Sequence, residues 1–286
     1  MTLRDFINDC IARLAQLYPQ PEARSIAFRL LEHYTDIPSY KYISEPDTPV
    51  DAALGAVLAE LETGRPLQYV LGVTEFCGHR FKVGEGCLIP RPETEELVSR
   101  IIDDLYADDE GDDSDKLSPD EDGPFSILDI CTGSGCIAWS LAAEFPEAMV
   151  YGCDLSEAAL RYACKQRVKV RGAKPVFFAA DVLAAPPAGL PKFDIIVSNP
   201  PYICDSERVA MRPNVLDFEP PEALFVPDDD PLRFYRAVAR WTDALLRPDG
   251  HLYLEINERF GPAVAALFPG SRVVPDLSGR DRFVIR

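Results

Sequence analysis

Hydrophobic residues recur at helical spacing in the N-terminal part of the chain. They stand at Leu3, Phe6, Ile7, Cys10, Ile11, Leu14 and Leu17, a period that predicts an amphipathic helix. A second helix is predicted from about Pro21, since proline suits a first helical turn. A third is predicted over residues 50–61, before Gly64 and Pro66 stop it. Three helices without a strand predict a small helical domain over residues 1–66.

The pattern changes over residues 67–90. Two short runs, Phe76–Gly78 and Arg80–Gly84, are typical of a β-hairpin. We interpret residues 67–90 as a hairpin linker between two domains. Beyond it, Pro92 and the acidic residues that follow favour a helix start, and this helix is predicted to reach Tyr106.

From Phe125 onward, strand patterns alternate with helix patterns. Strands are predicted at residues 127–130, 148–153, 176–179, 194–198 and 250–256, with two more near 273 and 283–285. Helices are predicted at residues 136–145, 156–171 and 231–246, with Ser156 as the N-cap of the second. This alternation indicates an α/β fold in which helices cover a mostly parallel sheet. We therefore predict a Rossmann-like domain over residues 91–286.

The net charge of the chain limits the kinds of partner that it can bind. The formal net charge is −18, and residues 108–122, which we interpret as a solvated acidic loop, hold nine acidic residues and one lysine. A protein of this charge repels nucleic-acid phosphates, so no direct nucleic-acid partner is expected. A basic protein segment or a cationic small molecule fits the field better, although acidity can also serve solubility alone.

Cysteine and histidine usage indicates neither a disulfide scaffold nor a metal site. The eight cysteines include no Cys-x-x-Cys pair, and the three histidines are scattered. We expect reduced thiols and no metal ion. No apolar stretch is long enough to cross a membrane, and the start becomes charged too early for a signal peptide. A cytoplasmic protein without a membrane partner is expected.

The first strand of the α/β domain leads into a glycine-bearing loop. This loop consists of Cys131, Thr132, Gly133, Ser134 and Gly135. Glycines at such a junction let the backbone approach a ligand, while the amides of the following helix face it. Asp154 ends the second strand, where a carboxylate can accept the ribose hydroxyls of a nucleoside. Asp181 ends the third strand, where it can meet an adenine amino group.

A dinucleotide is the main competing ligand for this loop. The loop lacks the G-x-G-x-x-G pattern, and it has no basic residue to meet a pyrophosphate. Three acidic residues at successive strand ends, Asp129, Asp154 and Asp181, suit a nucleoside with a positive sulfonium better than one with phosphates. S-adenosylmethionine is therefore the predicted cofactor.

A rigid polar tetrapeptide follows the fourth strand. It comprises Asn199, Pro200, Pro201 and Tyr202, at the ligand edge of an open parallel sheet. The two prolines lack N–H groups, so this backbone can only accept hydrogen bonds. The Asn199 side-chain oxygen and the Pro200 carbonyl are predicted to accept the two hydrogens of a substrate NH₂ group. The Tyr202 ring is predicted to stack on a planar amide or base.

Motifs along nearly the whole chain resemble the release-factor glutamine-N5 methyltransferase family (PrmC/HemK type). They are the stretches at residues 64–69, 88–95, 129–135, 198–203, 218–220, 254–256 and 279–282. The Asn-Pro-Pro-Tyr tetrapeptide alone is shared with adenine-N6 DNA methyltransferases. The Ile-Pro-Arg-Pro-Glu-Thr-Glu stretch that begins at Ile89 is far more specific to the glutamine branch.

The resemblance implies a class I methyltransferase domain with a mostly parallel seven-stranded sheet. In the chain this domain is preceded by a helical domain that helps dock a substrate protein. The resemblance also implies S-adenosylmethionine contacts at residues 132–135, at Asp154, at Asp181 and Val182, and at Asn199. The implied substrate is the glutamine of the Gly-Gly-Gln loop in class 1 peptide-chain release factors.

One position departs from the family pattern. Cys131 stands where many members carry glycine, and because a cysteine avoids positive φ we expect ordinary backbone there. The related ribosomal-protein glutamine methyltransferase resembles this Cys-Thr-Gly-Ser-Gly-Cys form and stays an alternative. A DNA adenine-N6 methyltransferase and a non-catalytic cofactor-binding module are further alternatives. The acidic charge disfavours the former, and the intact tetrapeptide disfavours the latter.

Overall fold

The computed structural model describes residues 1–35, 37–38, 40–109 and 124–286. The acidic loop predicted at residues 108–122 lies outside the described residues from position 110 onward. The chain divides into two compact units, residues 1–73 with 212–218, and residues 74–211 with 219–286. Within the described ranges, no helix has both the length and the apolar character needed to cross a bilayer.

The first unit is helical. Its elements are α1 (Leu3–Arg13), α2 (Gln20–Tyr34), α3 (Lys41–Ser44), α4 (Leu54–Glu62), α5 (Leu67–Leu71) and, from the later segment, α9 (Pro213–Phe218). Thr2 and Asp5 form a capping box that begins α1. Phe6 and Cys10 of α1 belong to one buried core with Leu30 of α2. The three helices predicted from apolar spacing are therefore confirmed. The boundaries proposed at residues 66 and 90 stay predictions.

A two-stranded sheet of β1 (Val73–Phe76) and β2 (His79–Lys82) follows α5. The turn between the strands has positive φ at Cys77 (47°) and Gly78 (72°). Positive φ at both central residues is the mark of a type I′ hairpin turn. The predicted hairpin is therefore confirmed over residues 73–82, while residues 67–71 of the same segment form a helix.

The remaining elements build the α/β unit. In chain order they are α6 (Pro92–Asp109), β3 (Ser126–Ile130), α7 (Cys136–Glu144), β4 (Met149–Asp154), α8 (Glu157–Ala163), β5 (Val176–Ala179), β6 (Phe193–Ser198), β7 (Ile203–Cys204), β8 (Phe225–Val226), α10 (Arg233–Leu245), β9 (Leu246–Glu255), α11 (Gly261–Ala265), β10 (Arg272–Pro275) and β11 (Asp281–Ile285). Strands β7 and β8 form a small parallel pair.

Seven strands form the main sheet in the order β10-β11-β9-β6-β3-β4-β5. Strands β3, β4, β5, β6 and β9 pair in parallel, whereas β11 is antiparallel to both β9 and β10. Adjacent residues of β3 serve opposite faces, because Ile127 packs into one apolar cluster and Leu128 into the other. Both faces are therefore buried, as in α/β folds. The predicted mostly parallel seven-stranded fold is confirmed.

The helix predicted over residues 156–171 is shorter than expected. Ser156 caps it as predicted, by accepting a hydrogen bond from the Ala159 N–H, but α8 ends at Ala163. The segment then leaves the helix and brings Gln166 against the backbone of β2. The Gln166 side chain accepts from the Lys82 N–H at 2.8 Å and donates to the Lys82 carbonyl at 2.9 Å. These long-range hydrogen bonds leave no periodic pattern in the local sequence, so the sequence did not predict them.

Candidate functional site

The site lies at the carboxyl ends of three neighbouring strands. Ile130 of β3 is paired in register with Cys153 of β4 on one side and with Ser198 of β6 on the other. The strand order reverses direction at β3, and in open parallel sheets such a switch point opens a crevice for ligands. The loop after β3, the end of β4 and the tetrapeptide after β6 are therefore brought to one edge.

The loop after β3 requires three left-handed backbone positions. Cys131 has φ 61°, Gly133 has φ 56° and Gly135 has φ 77°. The prediction of ordinary backbone at Cys131 is wrong. The tight reversal from strand to helix demands positive φ at that position, and the cysteine adopts it despite the steric cost of its Cβ.

Asp129 supports the loop from inside the protein. Its fully buried carboxylate accepts hydrogen bonds from the Thr132 hydroxyl and from the Ala138 N–H of α7. Burial raises the pKa of Asp129 to about 7, and these hydrogen bonds oppose the rise. Asp129 therefore does not present its charge to a ligand, contrary to its expected place among three ligand-facing acids. Thr132 and Ser134 are likewise buried, and the Ser134 carbonyl accepts a hydrogen bond from the Gln166 side chain at 3.0 Å.

Asp154 connects the end of β4 to the glycine loop. One carboxylate oxygen accepts from the Gly133 N–H at 2.8 Å, and the other accepts from the Ser156 N–H at 2.8 Å. Burial raises the pKa of Asp154, whereas the backbone hydrogen bonds lower it. Each carboxylate oxygen can accept more than one hydrogen bond. Asp154 therefore keeps acceptor capacity for a ligand while it fixes the loop.

A cavity of about 370 Å³ opens at this edge. Among the residues predicted to bind the cofactor or substrate, its lining includes Cys131, Gly133, Asp154, Asp181, Val182, Asn199 and Pro201. Thr132, Ser134, Gly135, Pro200 and Tyr202 are not part of the lining. Leu88, Leu155, Phe234 and Glu222 also contribute to it, although the sequence pattern did not single them out. Among the described residues that line the cavity, none is Lys, Arg or His.

Asn199 and Tyr202 of the tetrapeptide are joined through two residues that the sequence analysis did not assign. The Asn199 side-chain amide donates to the Thr94 hydroxyl at 3.0 Å, and Thr94 donates to Glu255 at 2.7 Å. The Tyr202 hydroxyl donates to the other oxygen of Glu255 at 2.8 Å. Glu255 follows the apolar run Leu252–Leu254 at the buried end of β9, and this carboxylate was the signal in the sequence, since a buried charge is retained only with partners.

Glu219 holds the segment before α6 in place. Its buried carboxylate accepts from the Ile89 N–H at 3.1 Å and from the Arg91 guanidinium at 2.7 Å. Two motifs that stand far apart in the sequence are thereby joined near the cavity wall, to which Leu88 and Pro220 belong.

Among the described residues, no group of three metal-binding side chains is close enough to hold a metal ion.

Comparison with known proteins gives matches along most of the chain. The family described as Methyltransferase small domain matches residues 116–214, and the PrmC N-terminal domain matches residues 5–72. A release factor glutamine methyltransferase from Bacteroides thetaiotaomicron is 39% identical over 280 residues, which cover 95% of this chain and 95% of the relative. One from Flavobacterium psychrophilum is 36% identical over 293 residues, which cover 99% of this chain and 98% of the relative.

Solved structures give a weaker match. TrmN from Thermus thermophilus is 27% identical to this chain, with a TM-score of 0.40, and the match covers 56% of this chain and 43% of that one.

Proposed function

Because the chain belongs to the release factor glutamine methyltransferase family, we propose that it methylates the side-chain amide nitrogen (N5) of a glutamine in a peptide-chain release factor, using S-adenosylmethionine. The glutamine of the Gly-Gly-Gln loop in class 1 factors is the proposed acceptor. One observation carries the proposal at the site itself. Asn199 lies on the wall of the cavity that Asp154 and Asp181 also line, so an acceptor for an amide lies beside a pocket suited to a nucleoside.

The cavity suits S-adenosylmethionine in its charge and its lining. Asp154, Asp181 and Glu222 are acidic and lie on its wall, which carries no basic side chain among the described residues. Such a wall favours a cation and disfavours phosphates. When bound, this cofactor supplies an electrophilic methyl group on a positively charged sulfur. We assign Asp154 to the ribose hydroxyls and Asp181 and Val182 to the adenine. Residues 131–135 are assigned to the loop whose backbone comes close to the cofactor.

The proposed task of the tetrapeptide is to orient a weak nucleophile. An amide nitrogen is unreactive because its lone pair is delocalised into the carbonyl. Hydrogen bonds from its two hydrogens to Asn199 Oδ1 and to the Pro200 carbonyl favour a pyramidal nitrogen, whose lone pair then faces the methyl group. Pro201 lies on the cavity wall, and the Tyr202 ring is proposed to stack on the planar amide. Orientation of this kind contributes up to about 7–11 kcal/mol to lowering a barrier.

The protein partner is proposed on the family and on charge. The formal net charge of −18 suits a basic segment of a release factor, and residues 1–66 are proposed as the domain that docks it. Charges on exposed surfaces are screened over about 8–10 Å at moderate salt. Docking is therefore expected to weaken as the salt concentration rises.

Methyl transfer to purified release factor tests the proposal. The enzyme is incubated with S-adenosylmethionine carrying a labelled methyl group and with either the natural factor or a Gly-Gly-Glu variant. Label is expected on the natural factor alone, at the glutamine. Equal labelling of the variant would contradict the glutamine assignment. Preferential labelling of a ribosomal protein or of DNA adenine would instead favour one of the alternative substrates.

A further inference from the structure

A buried carboxylate lies behind the tetrapeptide and is connected to both of its ends. Glu255 is 1% exposed and accepts from the Thr94 hydroxyl at 2.7 Å and from the Tyr202 hydroxyl at 2.8 Å. Thr94 is 3% exposed and lies in the first turn of α6, where it accepts from Asn199 Nδ2 at 3.0 Å. Hydrogen bonds therefore connect the first residue of the tetrapeptide to its last.

The direction of these bonds follows from the groups involved. An ionised carboxylate has no hydrogen to donate, so both hydroxyls must donate to Glu255. A threonine hydroxyl has one hydrogen, and Thr94 directs it to Glu255, so Thr94 can only accept from Asn199. The part of the Asn199 side chain that meets Thr94 must therefore be its NH₂ group. The oxygen Oδ1 remains for a ligand in the cavity.

The surroundings of Glu255 both oppose and support its charged form. Burial raises the pKa of Glu255, whereas the hydrogen bonds from Thr94 and Tyr202 and the positive charge of Arg282 lower it. Arg282 is itself held by Asp276 at 3.2 Å. The donated hydrogen bonds and the fixed cation thus stabilise the acceptor state on which the direction of the chain depends.

We infer that Thr94 and Glu255 are positioning residues that select an amide over a carboxylate at the substrate position, by holding Asn199 with its oxygen toward the cavity. This inference rests on the proposed function. A glutamine NH₂ group meets acceptors there, whereas a glutamate carboxylate meets oxygens that repel it. Rotating Asn199 to offer its NH₂ group instead would place two acceptors against each other at Thr94, which leaves buried polar groups unpaired.

Substitution of Thr94 separates this positioning role from a packing role. Thr94→Val keeps the shape but removes the hydroxyl, so Asn199 is free to rotate. Thr94→Ser keeps the hydroxyl and is expected to restore the wild-type behaviour. Thr242→Val is the matched control, because Thr242 is also a buried helical threonine, 2% exposed, and its hydroxyl donates to the Val238 carbonyl. Glu255→Gln provides a second test, since its amide no longer imposes one direction on Thr94.

Two measurements are made on the full-length protein. The first is binding of a Gly-Gly-Gln peptide and a Gly-Gly-Glu peptide, by calorimetry in the presence of S-adenosylhomocysteine, together with kcat and KM for methylation of the release factor. We expect Thr94→Val and Glu255→Gln to reduce the ratio of the glutamate-peptide Kd to the glutamine-peptide Kd at least about tenfold. We also expect both variants to lower kcat for methylation by about 10–100-fold. Thr94→Ser and Thr242→Val are expected to stay within about threefold of the wild type.

The second measurement is hydrogen exchange of the Asn199 side-chain NH₂ group by NMR. Protection is expected in the wild type and in Thr94→Ser, and its loss is expected in Thr94→Val. Unchanged peptide preference in folded Thr94→Val, or an unprotected Asn199 NH₂ in the wild type, would overturn the inference. Failure of the proposed function gives a different result, because the wild type then neither labels the release factor nor prefers the glutamine peptide. In that case the protection of the Asn199 NH₂ group still shows whether Thr94 holds the Asn199 side chain.

Discussion

The Asp154 carboxylate accepts a hydrogen bond from the Gly133 N–H at 2.8 Å, across twenty-one residues of sequence. This bond ties the end of β4 to the loop that follows β3. The same carboxylate lies on the cavity wall, so it both shapes the loop and is available to a ligand. A defect at Asp154 should therefore appear in cofactor affinity.

Replacement of Asp154 by alanine is expected to weaken binding of S-adenosylhomocysteine by about 10–100-fold. Hydrogen bonds to a charged group contribute about 1.5–3 kcal/mol, and the loss of the Gly133 contact also loosens the loop. Calorimetric titration of the folded variant measures the change. Asp103→Ala, which removes an exposed carboxylate of α6, serves as the control. An unchanged affinity in Asp154→Ala removes the ribose assignment.

Asn199→Ala separates substrate orientation from cofactor binding. Loss of one preorganised polar group at a reacting centre lowers kcat by about 10²–10³-fold. We expect that loss in methyl transfer to release factor, while S-adenosylhomocysteine binding stays measurable. Steady-state kinetics and calorimetry on the same preparation check both. Turnover close to that of the wild type excludes Asn199 from the mechanism.

Two substitutions of Cys131 test the cost of its left-handed backbone. Cys131→Gly and Cys131→Ala both remove the thiol, but only glycine adopts φ 61° without a Cβ clash. The left-handed conformation costs an ordinary residue about 1–2 kcal/mol, partly offset by the greater freedom of glycine in the unfolded chain. We expect the glycine variant to have a free energy of unfolding about 1 kcal/mol above that of the alanine variant. Urea denaturation measures it, and equal stabilities refute the strain.

Burial of Asp129 predicts a pH-dependent stability. Its pKa is raised from 3.8 to about 7 by burial, so the folded state binds the proton more tightly than the unfolded state does. Stability from this group is complete below the unfolded pKa and is lost as pH rises toward 7, by at most about 1.4 kcal/mol per pH unit. Asp129→Asn has no proton to lose. The stability of the wild type relative to this variant should fall between about pH 4.5 and 7, and parallel profiles contradict the prediction.

The sequence by itself determined the principal helices and strands and the order in which they occur. Apolar residues at a helical period marked α1, α2 and α4, and alternation of strands with helices predicted the parallel sheet, because burial imposes these periods directly. The rule that ligands bind at the carboxyl ends of parallel strands placed Gly133, Asp154 and Asn199 at one edge. The cavity lining agrees with that placement for these three residues.

The tertiary structure alone decided how distant side chains pair. Thr94 and Asn199 lie 105 residues apart, and Ile89 and Glu219 lie 130 apart. No local period encodes such contacts, since they depend on how the elements pack after the chain folds. The same reason applies to the hydrogen bonds between Gln166 and Lys82 and to the left-handed Cys131, which the strand-to-helix reversal imposes. Periodicity is a property of one segment, whereas the orientation of the Asn199 side-chain amide depends on three segments that pack together, namely α6, the tetrapeptide and β9.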